Sequence, residues 1–196
     1  DFSEEMIDLC DRYIETNTIR NIKTVLGDGQ DLDLKEAQFD RVFSMFGLMF
    51  FPDRMKGFLE CYRVLKPGGQ LIVSSWAPIS QSPAMQLMFG IIRSLRPDRP
   101  KPESNIKSLE CKVTFEKELA QAGFSAIEIH PFQHTMAVPS AATFWDDMVL
   151  GSAPIAWLKK SVDTETWESM HQTALSYIES EVPHFPTNLS ADAWIA

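Results

Sequence analysis

The sequence predicts an α/β fold with a mainly parallel sheet, and the prediction rests on one strand–helix–strand unit. The mostly apolar run Arg41–Phe46 is typical of a buried parallel strand. Pro52 then ends the extended segment, and Asp53 is a suitable N-cap for a helix. Pro67-Gly68-Gly69 ends that helix, and the apolar run Leu71–Val73 is the next strand. Because a helix separates the two strands, they are expected to pair in parallel.

The helix that begins after Asp53 carries an apolar stripe. Met55, Phe58, Leu59 and Tyr62 recur at i, i+3, i+4 and i+7, the spacing that places side chains on one helix face. This face is expected to pack against the core.

The segment before this unit predicts a helix, a short strand and a tight turn. Ser3 is a suitable N-cap for a helix that continues to about Glu15. Lys23–Leu26 is predicted as a short strand, and Gly27–Leu32 as the turn that follows it. The first helix carries an apolar stripe of the same spacing, formed by Met6, Leu9, Cys10 and Tyr13.

The segment after Trp76 predicts two further helices and an extended run. The first helix spans about 84–93, with Met85, Met88, Phe89 and Ile92 on one face. The proline-rich segment 96–105 is the best loop or lid candidate. A second helix over 115–122 ends at Gly123, and an extended run over 126–132 follows it.

The last quarter of the chain predicts a helical segment and a final strand. Residues 140–182 are helical in pattern, and breaks at Pro154 and at Ser161-Val162-Asp163 divide them into two or three helices. Ser190–Ala196 is predicted to begin a strand.

Composition limits the partners of the chain. With 196 residues the chain suits one domain with a substantial core, and 44% hydrophobic and 23% charged residues are typical of a globular protein. A net charge of −9 argues against nucleic acid as a partner, because that affinity depends largely on Lys and Arg. No apolar run approaches the ~20 residues that a membrane span needs.

Three scattered cysteines favour reduced thiols. Cys10, Cys61 and Cys111 form no Cys-x-x-Cys pair, and their odd number fits a cytoplasmic location. Cys10 and Cys61 lie on or beside apolar helix faces, so both are expected to be buried.

The central unit also resembles a known family. The segments FDRVFSMFGLMFFPD and ECYRVLKPGGQLIVSSW are similar to the fourth strand, fourth helix and fifth strand of class I S-adenosylmethionine-dependent methyltransferases. ELAQAGFSAIEI resembles the helix before the sixth strand of that fold. The resemblance implies a Rossmann-like, doubly wound sheet of order 3-2-1-4-5-7-6.

The same resemblance implies that the cofactor is S-adenosylmethionine and the product S-adenosylhomocysteine. An acidic residue at the position of Asp1 accepts hydrogen bonds from the ribose hydroxyls, and Phe2 follows it. Asp28 accepts from the adenine amino group, and the backbone after it, at Gly29 and Gln30, meets the ring. The segment Ser44, Met45 and Phe46 lies beside the methionine part of the cofactor. Taken alone, Asp28-Gly29 also reads as an ordinary turn, and Asp1 as a frayed terminal residue.

A small, partly apolar acceptor is expected beside the cofactor. Its wall is predicted to include Leu48, Trp76, Met85 and Met88, because Met side chains adapt to apolar ligands. Core packing is the alternative interpretation of the same side chains. The oligomeric state is left open.

Catalysis in this family needs no universal side chain, since methyl transfer depends mainly on positioning. By residue type, His130, His134 and His184 are the possible general bases, and His134 is the weak candidate that we name. No metal is expected, because His130 and His134 would stand ~13 Å apart along a strand.

The resemblance also implies a domain organisation. Residues 1–139 and 190–196 would form a partial methyltransferase core, and residues 140–189 a helical cap inserted before the last strand. Strand one and its glycine-rich loop are absent from the sequence, so further residues are expected upstream of Asp1. Without them, Arg41–Phe46 would be an apolar edge strand. Two other functions stay open: an inactive methyltransferase-like scaffold or partner subunit, and a nicotinamide-dependent oxidoreductase.

Overall fold

The structure is a computed structural model, and it describes residues 1–97 and 108–196. Most of the predicted loop or lid over 96–105 therefore lies outside the described residues. Within them the chain forms seven α-helices and four β-strands. The helices are α1 (Glu4–Thr16), α2 (Arg54–Val64), α3 (Pro83–Leu95), α4 (Lys112–Gln121), α5 (Ala141–Gly151), α6 (Ala153–Ser161) and α7 (Thr164–Glu181). The strands are β1 (Phe39–Met45), β2 (Leu65–Trp76), β3 (His130–Val138) and β4 (Thr187–Ile195).

The strands form one sheet in the order β1-β2-β4-β3. β1 and β2 pair in parallel, with Val42 opposite Leu71 and Ser44 opposite Val73, which confirms the predicted strand–helix–strand unit. Val73 and Ala196 exchange backbone hydrogen bonds, and the Ala77 amide donates to the Asp192 carbonyl. Because these partners run in opposite directions along the chain, β4 is antiparallel to β2. The order matches the 4-5-7-6 part of the family sheet.

The junction between α2 and β2 differs from the prediction. The helix was expected to end at Pro67, but it ends at Val64, and β2 begins at once with Leu65. The register then shifts, since Phe39 is opposite Leu65 and Arg41 is opposite Gln70. The extra residues of β2 include Gly68, whose φ of +78° disfavours other residues. Pro67 and the glycines therefore form an irregularity inside the strand rather than a turn before it.

The chain divides into two compact units. Unit 1 comprises Asp1–Ser75, Lys112–His130 and Ile195–Ala196, and unit 2 comprises Trp76–Cys111 and Pro131–Trp194.

The core of unit 1 lies between α2 and α4. Phe58 and Phe115 are fully buried there, with ring centroids 6.5 Å apart. Arg54 and Glu118 form an ion pair at 2.6 Å beside them. The Asp53 carboxylate accepts from the Lys56 amide, which confirms the predicted N-cap.

The predicted inner face of α2 is partly wrong. Leu59 and Tyr62 are exposed, whereas the buried positions are Gly57, Phe58, Cys61 and Val64. Leu48 and Phe51 pack against Gly57, and this contact turns the helix toward the Cys61 side. Cys61 is buried as predicted.

The first helix is correctly predicted, but its apolar face is not covered. The Ser3 hydroxyl accepts from the Met6 amide, which confirms the N-cap, yet α1 has no buried residue. Met6, Leu9 and Tyr13 are more than half exposed, and Cys10 is exposed, so its predicted burial is wrong. No described element packs onto this face closely enough to bury it.

The strand predicted over Lys23–Leu26 is absent. The Thr24 hydroxyl in this segment donates to the Asp11 carboxylate at 2.6 Å. Its backbone contacts are with Asp1, since the Asp1 nitrogen donates to the Val25 carbonyl (3.1 Å) and the adjoining Gly27 amide donates to the Asp1 carbonyl (2.9 Å). Two such bonds do not make a ladder.

Unit 2 is built around a helical core. The predicted helical segment is confirmed as α5, α6 and α7, with breaks at Ser152 and at Val162-Asp163. α3 forms as predicted, but its buried residues are Ala84, Leu87, Ile91 and Leu95, one position away from the expected stripe. β3 begins at His130 rather than Ala126. The largest fully buried side chains of this core are Trp145, Ile91, Ile155 and Ile178.

Among the described residues, no helix has the length and apolar character needed to cross a membrane.

Candidate cofactor and acceptor sites

The predicted cofactor residues of unit 1 come together in one loop cluster, formed by Asp1-Phe2, Gly27–Gln30 and Ser44–Asp53. The backbone bonds between Asp1 and Val25–Gly27 place Asp1 directly beside the Asp28 turn. Phe2 is exposed. The Asp1 carboxylate accepts from the Ser3 amide at 2.9 Å. The residue that the family resemblance assigns to ribose is thus hydrogen-bonded through its backbone to Gly27, which precedes the residue assigned to adenine.

Asp28 shapes its own turn. One of its oxygens, Oδ1, accepts from the Gln30 amide at 2.9 Å, and both oxygens accept from the Gln30 side chain at 3.1 Å. The hydrogen bond from the Gln30 backbone is the main cause that lowers the pKa of Asp28, and the Gln30 side chain adds to it. Asp28 is therefore ionised at neutral pH and acts as an acceptor only.

The turn is attached to the segment that follows β1. A Cβ at Gly29 would lie 2.6 Å from the Phe51 ring, so this close approach requires glycine. The Gln30 side-chain oxygen accepts from the Asp53 amide at 2.7 Å. Phe51 thus occupies part of the space that we expected to be open beside the Gly29 backbone.

The end of β1 is fixed by two serines. The Phe46 amide donates to the buried Ser74 hydroxyl at 3.0 Å, and the Leu48 amide donates to the Ser44 hydroxyl at 3.2 Å. Phe46 has a φ of +55°, a conformation that a non-glycine residue adopts only when its surroundings hold it there. Met45 is exposed on this edge.

An ion pair on α2, Glu60 with Arg63, holds the loop that contains Leu32 and Leu34, and it was not predicted from the sequence. Glu60 accepts from the Leu32 amide at 2.8 Å, and Arg63 donates to the carbonyls of Leu32 and Leu34. Glu60 and Arg63 also bond each other at 2.6 Å. The bond to Arg63 is the main cause that lowers the pKa of Glu60. The i, i+3 spacing of opposite charges on α2 was the available signal.

The loop cluster fits the chemistry of the implied cofactor. Asp1 and Asp28 present exposed carboxylates, which suit the hydroxyl and amino donors of an adenosine. A carboxylate oxygen can accept more than one hydrogen bond. Asp28 Oδ2 accepts from a single described donor, so it has capacity for another.

The residues predicted for the acceptor wall are divided between the two units. Leu48 is buried in the core of unit 1, and in unit 2 Trp76, Met85 and Met88 are half-buried. His134 is exposed on β3, and His130 contacts Glu128 at 3.0 Å. Within the described ranges, no cluster of three His, Cys, Asp or Glu side chains has the arrangement of a metal site.

Unit 2 contains a half-open cavity of about 1170 Å³ that none of the predicted wall residues lines. α3 contributes Leu87, Phe89 and Gly90, and α7 contributes Tyr177. The cavity therefore lies on the flank of α3 next to the predicted Met85 and Met88 stripe.

Comparison with known proteins relates the first part of the chain to a family. Residues 1–73 match a family described as a methyltransferase domain. The demethylmenaquinone methyltransferase of Listeria welshimeri is 39% identical over 71 residues, 36% of this chain and 30% of the relative. Methyltransferase tpcH of Aspergillus fumigatus is 26% identical over 143 residues, 71% of this chain and 50% of the relative. The chain thus spans half or less of the length of these methyltransferases.

Solved structures share the fold of this chain. The BH2331 protein of Bacillus halodurans, described as a candidate methyltransferase, has a TM-score of 0.58 and 20% identity, covering 100% of this chain and 78% of that one. The YcgJ protein of Bacillus subtilis has a TM-score of 0.54 and 14% identity, with the same coverages. At these identities the likeness concerns the fold alone.

Proposed function

We propose that the protein transfers a methyl group from S-adenosylmethionine to a small, partly apolar acceptor. The observation that carries this proposal is the convergence of Asp1, Asp28 and the end of β1 in one loop cluster, inside the segment that matches the methyltransferase domain. A cytoplasmic location and the absence of nucleic-acid binding stay predictions from the cysteines and the net charge.

In this proposal, the residues of the loop cluster bind and orient. When bound, S-adenosylmethionine would supply an electrophilic sulfonium methyl carbon for in-line attack by an acceptor lone pair, with the thioether sulfur leaving with the electron pair of the carbon–sulfur bond. Asp1 accepts from ribose hydroxyls, and Asp28 accepts from the adenine amino group. The Ser74 and Ser44 hydroxyls fix the backbone beside the methionine part. Because the reaction depends on alignment, positioning is the main contribution of the protein.

Cofactor binding is the direct test. S-adenosylmethionine or S-adenosylhomocysteine at 100 times its dissociation constant is expected to raise the free energy of unfolding by about 2.7 kcal/mol. NAD is expected to leave the free energy of unfolding unchanged. Thermal unfolding with each ligand measures this. A shift with NAD alone, or with no ligand, would contradict the proposal.

Asp28 provides the residue-level test. Asp28→Ala is expected to weaken S-adenosylhomocysteine binding by about 1–3 kcal/mol, because a charged acceptor is lost. Asp33→Ala removes an equally exposed carboxylate from the next loop and is the matched control. Calorimetric titration of both variants compares them, and equal affinities would assign Asp28 to the turn alone.

One observation favours the second candidate, an inactive scaffold or partner subunit. Asp28 is already bonded to Gln30 on both oxygens, and Phe51 packs against Gly29, so the turn is stable without a ligand. The fold also permits other chemistry, since the [4+2]-cyclase SpnF has a TM-score of 0.51 to this chain at 14% identity. A scaffold would bind neither sulfur compound.

A further inference from the structure

The cavity of unit 2 has an apolar wall and a polar patch. Leu87, Phe89, Val182 and Leu189 supply apolar surface from α3, α7 and the start of β4. A volume of about 1170 Å³ is large enough for a ligand of several fused rings. The cavity is open on one side, and its volume is of the order of known small-molecule sites.

The polar patch combines two opposite charges and a hydroxyl. Arg93 on α3 and Tyr177 and Glu181 on α7 all line the cavity. Among the described residues, none of these three side chains has a hydrogen-bond or ion-pair partner within the chain. Both charges act on the tyrosine, since burial and Glu181 raise the pKa of Tyr177 while Arg93 opposes the rise. The patch therefore offers a cationic donor, an anionic acceptor and a hydroxyl in one place.

The position of Tyr177 depends on a glycine. A Cβ at Gly90 would overlap the Tyr177 hydroxyl and ring, so any other residue would move the tyrosine. Gly90 thus allows α7 to present the phenol at the cavity wall, although glycine costs helix stability in the middle of α3.

We propose that this cavity holds an apolar, ring-containing molecule with a neutral hydroxyl, such as a phenol, bound by Arg93, Tyr177 and Glu181.

The charge pattern selects the hydroxyl. A hydroxyl both donates and accepts, so it can donate to Glu181 and accept from Arg93 at the same time. A carboxylate can only accept and would be repelled by Glu181, and an ammonium can only donate and would be repelled by Arg93. The apolar wall requires that the rest of the ligand be rings or chains without charge.

The test compares three probes of similar shape. At pH 7 the chain is titrated with 2-naphthol, 2-methoxynaphthalene and 2-naphthoate without cofactor, and binding is followed by probe fluorescence. We expect 2-naphthol to bind about 5-fold more tightly than the methyl ether, the effect of one net hydrogen bond, and more tightly than the acid. Equal affinities for the three probes, or no binding of 2-naphthol, would overturn the assignment.

Matched variants locate the site. Glu181→Gln and Arg93→Gln are expected to remove the preference for 2-naphthol over the methyl ether. Glu179→Gln on the same helix and Lys160→Gln in the same unit make equal charge changes on exposed side chains outside the cavity. Both control variants should keep the preference for 2-naphthol. Ser94→Trp, from a half-buried wall position whose hydroxyl bonds only to Ile91, should block all three probes. A preference that survives both cavity variants would overturn the proposal.

The two proposals fail separately. Probe binding needs no cofactor, so the probe pattern without any S-adenosylmethionine binding would overturn the proposed function and support the ligand class of the cavity. Cofactor binding with no 2-naphthol binding would overturn the cavity assignment alone.

Discussion

The two units of this chain place their apolar residues differently. In unit 2, α3, α5, α6 and α7 bury residues such as Ile91, Trp145 and Ile178 in one continuous core. In unit 1, α1 has no buried residue, and Phe43 of β1 is 62% exposed. Yet unit 1 contains the segment that matches the methyltransferase domain.

This difference teaches that the family signature and the most continuous core are carried by separate parts of the chain. Among the signature residues, Gly29 lies in a turn, Asp53 caps a helix and Gly68 lies in the irregularity of β2, and these local roles need little buried area. Unit 2 lies beyond the matched segment, and its stability comes from apolar burial. Substitutions in the two units should therefore have unequal effects.

The largest difference is expected between Trp145→Ala and Leu9→Ala. Trp145 is fully buried and stacks on Trp167 at 5.7 Å, so its loss should reduce the free energy of unfolding by about 3–5 kcal/mol. Leu9 is 54% exposed on α1, and its replacement should change stability by less than about 0.5 kcal/mol. Denaturant unfolding measures both. Comparable losses would show that α1 is buried in solution.

A smaller loss is expected from His171→Ala. The buried Trp145 indole donates to His171 Nδ1 at 2.8 Å, so the variant leaves a buried donor without an acceptor. We expect a loss of about 1–3 kcal/mol in the free energy of unfolding. His184→Ala, an exposed histidine of the same unit, is the control and should be nearly neutral. Partial recovery in His171→Gln, which restores an acceptor, would separate the hydrogen bond from packing.

The smallest expected effect is on the reactivity and titration of two cysteines of unit 1, Cys10 and Cys61. Cys10 is exposed and should react with iodoacetamide in the folded protein, whereas buried Cys61 should not. Burial is the main cause that raises the pKa of Cys61 from 9.0 to about 11, and the charge of Glu60 adds to it. The folded thiol thus holds its proton more tightly than the unfolded thiol.

The stability linked to this proton is complete below pH about 9 and is lost as the pH rises toward about 11. Unfolding free energies across this range should fall less steeply in Cys61→Ala than in the parent protein, with Cys10→Ala as the control. Labelling of Cys61 at the rate of Cys10, or an unchanged pH slope, would contradict the burial of α2.

Local signals predicted most of the elements correctly. The caps at Ser3 and Asp53 and the breaks around α6 depend on adjacent residues, so the sequence contains them. Which face of α2 or α3 is buried depends on contacts from distant segments, such as Leu48 and Phe51 against Gly57. A shift of one position along a helix changes the buried face without changing the pattern.

The candidate sites were predicted unequally for the same reason. The Asp28 turn follows a recognisable segment, so a resemblance could place it. Arg93 lies on α3, and Tyr177 and Glu181 lie on α7, so this group comes from two helices far apart in sequence. Neither helix has a sequence motif that predicts the group. The bond from Gln30 to Asp53 is equally nonlocal.

The irregular register between β1 and β2 has a consequence for tolerance to insertion and deletion. Phe39 of β1 is opposite Leu65, and Arg41 is already opposite Gln70. The β2 residues Lys66–Gly69 are therefore additional residues that do not extend the regular pairing with β1. Side chains on a strand alternate, and only the count of residues after Gln70 decides which ones point to each face. Length changes within Lys66–Gly69 can therefore be absorbed before the pairing of Leu71 with Val42. The removal of one residue after Gln70 would instead reverse the two faces of the strand and place buried Val73 and Ser75 on the face that buried Ser74 occupies.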